Sequence, residues 1–214
     1  MHQVTIEDAR RRVGELFLDE RNLYGCAETA FVALKEAFGL PDPSDASAAM
    51  ALNGGIAYSG GTCGAVTGAA LALGMLAERR IPDHKRAKRT ARLLTAGLLE
   101  DLGRDFGATD CRTLTGFDLR TEAGHRAFIE DGAWRDACTR QIELAVARSA
   151  ILAEEAAWET RLRELDAAAP ASAPASPAGS ATTAATGQPR SPGGHAAPPA
   201  WRPGVQDRSG PGSA

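Results

Sequence analysis

A chain of 214 residues with 43% hydrophobic side chains can bury one compact core, and 27 acidic against 24 basic residues leave a net charge of -3. That balance gives no global attraction to nucleic acid or to an anionic membrane, so nucleic acid is not expected as a partner. The start of the chain, Met1 to Asp8, has no basic stretch followed by an apolar one, so it does not read as a secretory signal and a cytoplasmic location is expected.

In chain order, Thr5 and Asp8 have the spacing of a capping box, and Ile6, Ala9, Val13, Leu16 and Phe17 recur on one face of a helix running to about Glu20. A second helix is predicted over 24–38, where Ala27, Ala30, Phe31, Leu34 and Phe38 line one side before Gly39 and Pro41 stop it. A short helix after Pro43 carries Ala46, Ala49, Met50 and Leu52.

Asn53 to Thr62 then shows neither helical nor strand periodicity and contains Gly54, Gly55, Gly60 and Gly61. This predicts a loop with unusual backbone angles, suited to wrapping a ligand or cluster. Thr62 is the expected N-cap of a central, buried helix carrying Val66, Ala69, Ala70, Leu73, Leu76 and Ala77. Gly64 and Gly68, with Ala65, Ala69 and Ala72, leave so little bulk that a neighbouring helix or a cofactor can lie close to the backbone.

No charged residue falls between Asp45 and Glu78, but the strongly apolar part, about 66–77, is shorter than the ~20 residues a spanning helix requires. The chain is therefore read as not transmembrane. Further helices are predicted over 83–102, 110–114, 122–129 and 134–165. No alternating β-branched run is long enough for a sheet. The fold class is all-α, a compact bundle of about six to seven helices with a glycine-rich loop before the central one. After Leu165 the sequence turns to Ala, Pro, Ser, Gly and Thr, and holds nine of the twelve prolines. Two regions follow, a helical domain over 1–165 and a disordered tail over 166–214. Trp201 and His195 in the tail and His2 at the terminus read as solvated.

The chemistry lies in four cysteines, Cys26, Cys63, Cys111 and Cys138. In a reducing compartment their even count favours metal ligation or transient redox pairing over structural disulfides. They are 37, 48 and 27 residues apart, with no Cys-x-x-Cys pair, so spacing selects neither a zinc finger nor a thioredoxin site. Cys26, Cys63 and Cys111 each fall at or just after a predicted helix start, where the helix dipole is expected to lower a thiol's pKa. Cys138, flanked by Trp134 and Ile142, is expected to point inward.

Cys63, Gly64, Ala65 and Gly68 form a Cys-Gly-Ala-x-x-Gly motif, with Cys26 before it and Cys111 and Cys138 after it. With the approach Gly54-Gly55 to Gly60-Gly61-Thr62, this resembles the C-GCAxxG-C-C family over about 10–148. Members often carry glycine where this chain has Asn53 and Ala57. The resemblance implies a small helical domain with a redox role assigned by its cysteines, and no defined reaction.

Three uses of the sulfurs remain open. Cys26, Cys63, Cys111 and Cys138 could hold an iron-sulfur cluster, with the glycine loop donating N–H groups to it. Cys63 could be the attacking thiolate of a dithiol-disulfide exchange. The four could instead hold structural zinc. His125 is a further candidate ligand or neighbour of the site. The basic segment 79–92 reads as a solvated helix face or as a landing site for an acidic redox partner protein or, more weakly because no aromatic residues are interleaved for base stacking, for nucleic acid, and the sequence leaves room for a homo-oligomer.

Overall fold

The structure, a computed structural model, describes residues 5–168. His2, His195, Trp201 and all but the first three residues of the predicted tail lie outside them. The described residues are all-α. The capping box forms as expected: the Asp8 amide donates to Thr5 Oγ1 at 3.0 Å and the Thr5 amide donates to Asp8 Oδ2 at 3.0 Å, starting α1 (Ile6–Phe17). Helix α2 (Cys26–Ala37) follows. Ser47–Leu52 is a 3-10 turn that leaves Met50 exposed and buries Ala49.

Helix α3 (Gly64–Arg80) is the centre of the bundle and packs against α2, α4 (His84–Phe106) and α7 (Thr139–Ala150). Leu73, Leu76 and Ala77 of α3 are fully buried, as are Leu34 of α2, Leu102 of α4 and Ile142 of α7. Each large aliphatic side chain removed from water in this way contributes roughly 1.5–3 kcal/mol. Short helices α5 (Cys111–Thr115) and α6 (Glu122–Asp131) complete the end of the bundle that carries the cysteines, and α8 (Glu155–Ala167) closes the other. No strand forms among the described residues, and none of their helices is long and apolar enough to cross a membrane.

The long helix expected over 134–165 is three pieces. Trp134–Cys138 is a π-helical segment, α7 follows, and a 3-10 turn over Ile151–Ala153 leads to Glu154 in an extended conformation before α8. The second break lies where Arg80 of α3 donates to the Leu152 and Ala153 carbonyls at 3.0 and 2.8 Å. That guanidinium also lies over the Trp158 ring, 5.3 Å from its centroid.

Arg79 likewise donates to the carbonyls of Phe38 and Gly39 beyond α2, and Arg86 and Arg89 pair with Asp166. The basic segment is thus largely committed to helix ends and to α8; Lys85, Lys88 and Arg92 stand exposed, and no such role for them is seen among the described residues.

Candidate functional site

Each cysteine sits at an end of an element. Cys26 is the first residue of α2 and Cys111 of α5; Cys63 is the residue that caps α3, a place the sequence assigned to Thr62; Cys138 closes the π-helical segment. Thr62 instead forms an antiparallel bridge with Asp110. Around it the Cys63 amide donates to Thr109 O at 2.9 Å, the Cys111 amide to Gly61 O at 2.7 Å and the Arg112 amide to Gly60 O at 3.1 Å. These three bonds stitch the approach to α3 onto the approach to α5, so two cysteines 48 residues apart in sequence become neighbours.

The motif glycines act by the room they leave. A Cβ on Gly64 would fall 2.3 Å from Cys26 Sγ, so the sulfur of α2 rests in the space where that side chain would be. A Cβ on Gly68 would fall 2.1 Å from the Ala27 carbonyl oxygen, and here the close approach is helix to helix. Ala65 is completely buried between them.

The loop before α3 has the unusual angles its composition predicted. Gly54, Gly55, Ile56, Ala57 and Tyr58 form an unbroken left-handed run, with φ of 64°, 76°, 67°, 49° and 59°. Three of the five are not glycine, and such a conformation costs an L-residue roughly 1–2 kcal/mol. Gly55 is obligatory for a second reason, since a Cβ there would lie 2.4 Å from the Gly61 backbone.

A cavity of about 190 Å³ opens beside this loop. Cys26, Cys111 and Cys138 reach its wall, among Phe17, Tyr58, Leu119, His125, Phe128 and Trp134, and among the described residues its lining includes no Lys, Arg, Asp or Glu. Tyr58 and His125 meet edge to face at 5.3 Å on its rim. Of the loop and motif positions singled out as cofactor-binding, only Gly54 lines this cavity. Gly55, Gly60, Gly61, Thr62, Gly64, Ala65 and Gly68 stand behind it and hold backbone and sulfur in place. Cys63 lies deeper, 3% exposed, with its sulfhydryl 3.5 Å from Gln141 Oε1.

All four cysteines are free thiols, and their acidity runs opposite to the expectation from helix starts. Burial pushes Cys63 and Cys111 from the ordinary 9.0 up to about 12, and raises Cys26 and Cys138 as well. The negative charge each would place on the others adds to the effect: Cys26 acts on the other three, and Cys63 and Cys111 on Cys138. Amides of Gly54 and Ala27 favour the Cys26 thiolate but are outweighed by burial. Helix-end polarity is real, yet in a site without cations desolvation exceeds it.

Cys26, Cys111 and Cys138 share one cavity and Cys63 adjoins it through Gly64 and the bridge to α5, although among the described residues no three His, Cys, Asp or Glu side chains converge closely enough to hold a metal ion. The donor chemistry, three thiols at a cavity wall without charged side chains and a fourth buried behind it, suits a soft metal group. The separation does not suit a single ion.

Sequence reasoning missed the polar contacts of this site. Asn53, read as loop, reaches Cys26, and Gln141, read as helix, reaches Cys63. Partners 27 and 78 residues away carry no local signal.

No curated protein and no solved structure matches this chain. The family model described as "Putative redox-active protein (C_GCAxxG_C_C)" matches residues 24–151. That span is more than half of the chain and contains all four cysteines, the left-handed loop and the Cys63-Gly64-Ala65 to Gly68 motif. The chain belongs to this redox-active family.

Proposed function

We propose that Cys26, Cys63, Cys111 and Cys138 hold an iron-sulfur cluster that exchanges electrons with a partner protein. The observation that carries this reading is the absence of cations from the cavity wall that the cysteines share. Three of the thiols line a cavity that has no Lys or Arg in its wall among the described residues, and Cys63 is buried behind it, so ionising them together needs positive charge brought in from outside. A thiolate-bound iron group supplies that charge, and its binding would release the thiol protons.

The same features weigh against the alternatives. Zinc bound by four thiolates needs all sulfurs about 2.3 Å from one ion, and among the described residues no such convergence is present. A cluster interposes several irons and sulfides between its ligands, which can therefore stand wider apart. For thiol exchange, Cys63 is a poor attacking group because it is buried and its pKa stands at about 12. An exchange reading is served better by Cys26, which is half-buried at the cavity with backbone amides directed at its sulfur.

Purification without oxygen tests the proposal. Brown protein containing iron and acid-labile sulfide is expected; colourless protein with stoichiometric zinc, or with no metal, overturns it. In the second case, thiol trapping after mild oxidation would show whether Cys26 enters an intramolecular disulfide.

A further inference from the structure

We propose that Asn53 is the positioning residue of the Cys26 sulfur. Its side-chain amide is satisfied at both ends. Asn53 Oδ1 accepts the Ala27 amide at 2.9 Å and stands 3.8 Å from Cys26 Sγ, whose S–H it receives. Asn53 Nδ2 donates to Glu28 Oε2 at 2.8 Å and to the Met50 carbonyl at 3.2 Å. Glu28 Oε2 accepts the Gly25 amide as well, at 2.9 Å, and Glu28 is buried.

One side chain therefore ties three segments together: the first turn of α2, the 3-10 turn ending at Leu52, and the left-handed loop that begins at the next residue. The packing is as specific as the hydrogen bonding. A Cβ on Gly25 would meet the Asn53 side chain at 2.4 Å, so Gly25 is the residue that admits it. With Asn53 on one side and Gly64 on the other, Cys26 Sγ has little freedom to leave the site. Asn53 lines the cavity together with Cys26.

The role rests on Cys26 belonging to the redox site, and its test does not require any metal. The full chain, metal-free and reduced, is treated with iodoacetamide at one fixed pH, and the modification rate of each cysteine is read by peptide mass spectrometry. In Asn53→Ala the acceptor that holds the thiol is gone, and Cys26 is expected to react about tenfold faster relative to Cys111 in the same molecule. Asn53→Asp combined with Glu28→Gln keeps an oxygen at position 53 and avoids placing two carboxylates together. In that variant the ratio is expected to stay within about twofold of wild type.

A residue that merely stabilises the fold would speed all four cysteines in parallel, and that result overturns the proposal. An unchanged Cys26 rate in Asn53→Ala overturns it as well. Should Asn53→Ala fail to fold, Asn53→Ser, whose hydroxyl is too short to reach the Cys26 sulfur, is read in its place: a faster Cys26 supports the role and an unchanged one contradicts it. Failure of the cluster reading would show separately, as wild-type protein without iron, and would leave these rates unaffected.

Discussion

Gly64 and Gly68 stand four residues apart in one motif, yet they are glycine for different reasons. At Gly64 the space is taken by a sulfur atom and at Gly68 by a backbone carbonyl. A cysteine side chain can rotate, whereas a carbonyl in the first turn of a packed helix cannot. Gly64→Ala is therefore expected to fold with a loss of about 1–3 kcal/mol and to displace Cys26 from the site, so that iron content falls further than stability does. Gly68→Ala forces α2 and α3 apart and is expected to cost at least as much stability. Denaturant unfolding of the two variants beside iron analysis separates the cases; equal iron retention in both would contradict the assignment of Gly64 to the sulfur. The cysteines and their motif were legible as chemistry from the sequence. The sign of their pKa shifts was not, because it depends on how little charge the finished fold places around them.

The left-handed run from Gly54 to Tyr58 and the interruptions around α7 are features of elements. Ala57 has φ of 49°, so Ala57→Gly is expected to raise stability by up to about 1 kcal/mol, opposite to the effect of the same change inside a helix. A lowered denaturation midpoint would contradict the strain. Arg80→Met removes the donor to the Leu152 and Ala153 carbonyls and is expected to cost about 1–3 kcal/mol. Amide exchange should accelerate first in Ile151–Ala153 and α8. Helix periodicity and caps revealed nearly every other helix, including the Thr5 capping box and the buried face of α3. The division of the predicted 134–165 helix was invisible because its apolar spacing runs through the breaks without glycine or proline from Trp134 to Leu165. One break is fixed by an arginine more than 70 residues earlier in the chain, at Arg80.

Across the whole molecule, four thiols whose pKa values the fold raises make the metal-free protein sensitive to alkali. Their pKa values are higher folded than unfolded, so the folded state holds its protons more tightly. Their contribution is fully present below pH 9.0 and is lost as the pH rises toward about 12. Calorimetry of the reduced metal-free chain should show a melting temperature that falls steadily above pH 9.0, and the fall should lessen when Cys63 and Cys111 are both replaced by serine. A flat profile would mean that these thiols ionise as freely folded as unfolded. Loading the site should remove the same dependence, since bound thiolates have already lost their protons.

The joint role of the four cysteines is tested most directly by anaerobic reconstitution of wild type and of each single Cys→Ser variant with iron and sulfide, followed by visible absorption and iron and sulfide analysis. Wild type is expected to show charge-transfer absorption with matched iron and sulfide, and every one of Cys26→Ser, Cys63→Ser, Cys111→Ser and Cys138→Ser to weaken or abolish it. Colourless wild-type protein, or variants that all load as wild type does, would contradict a shared cluster site.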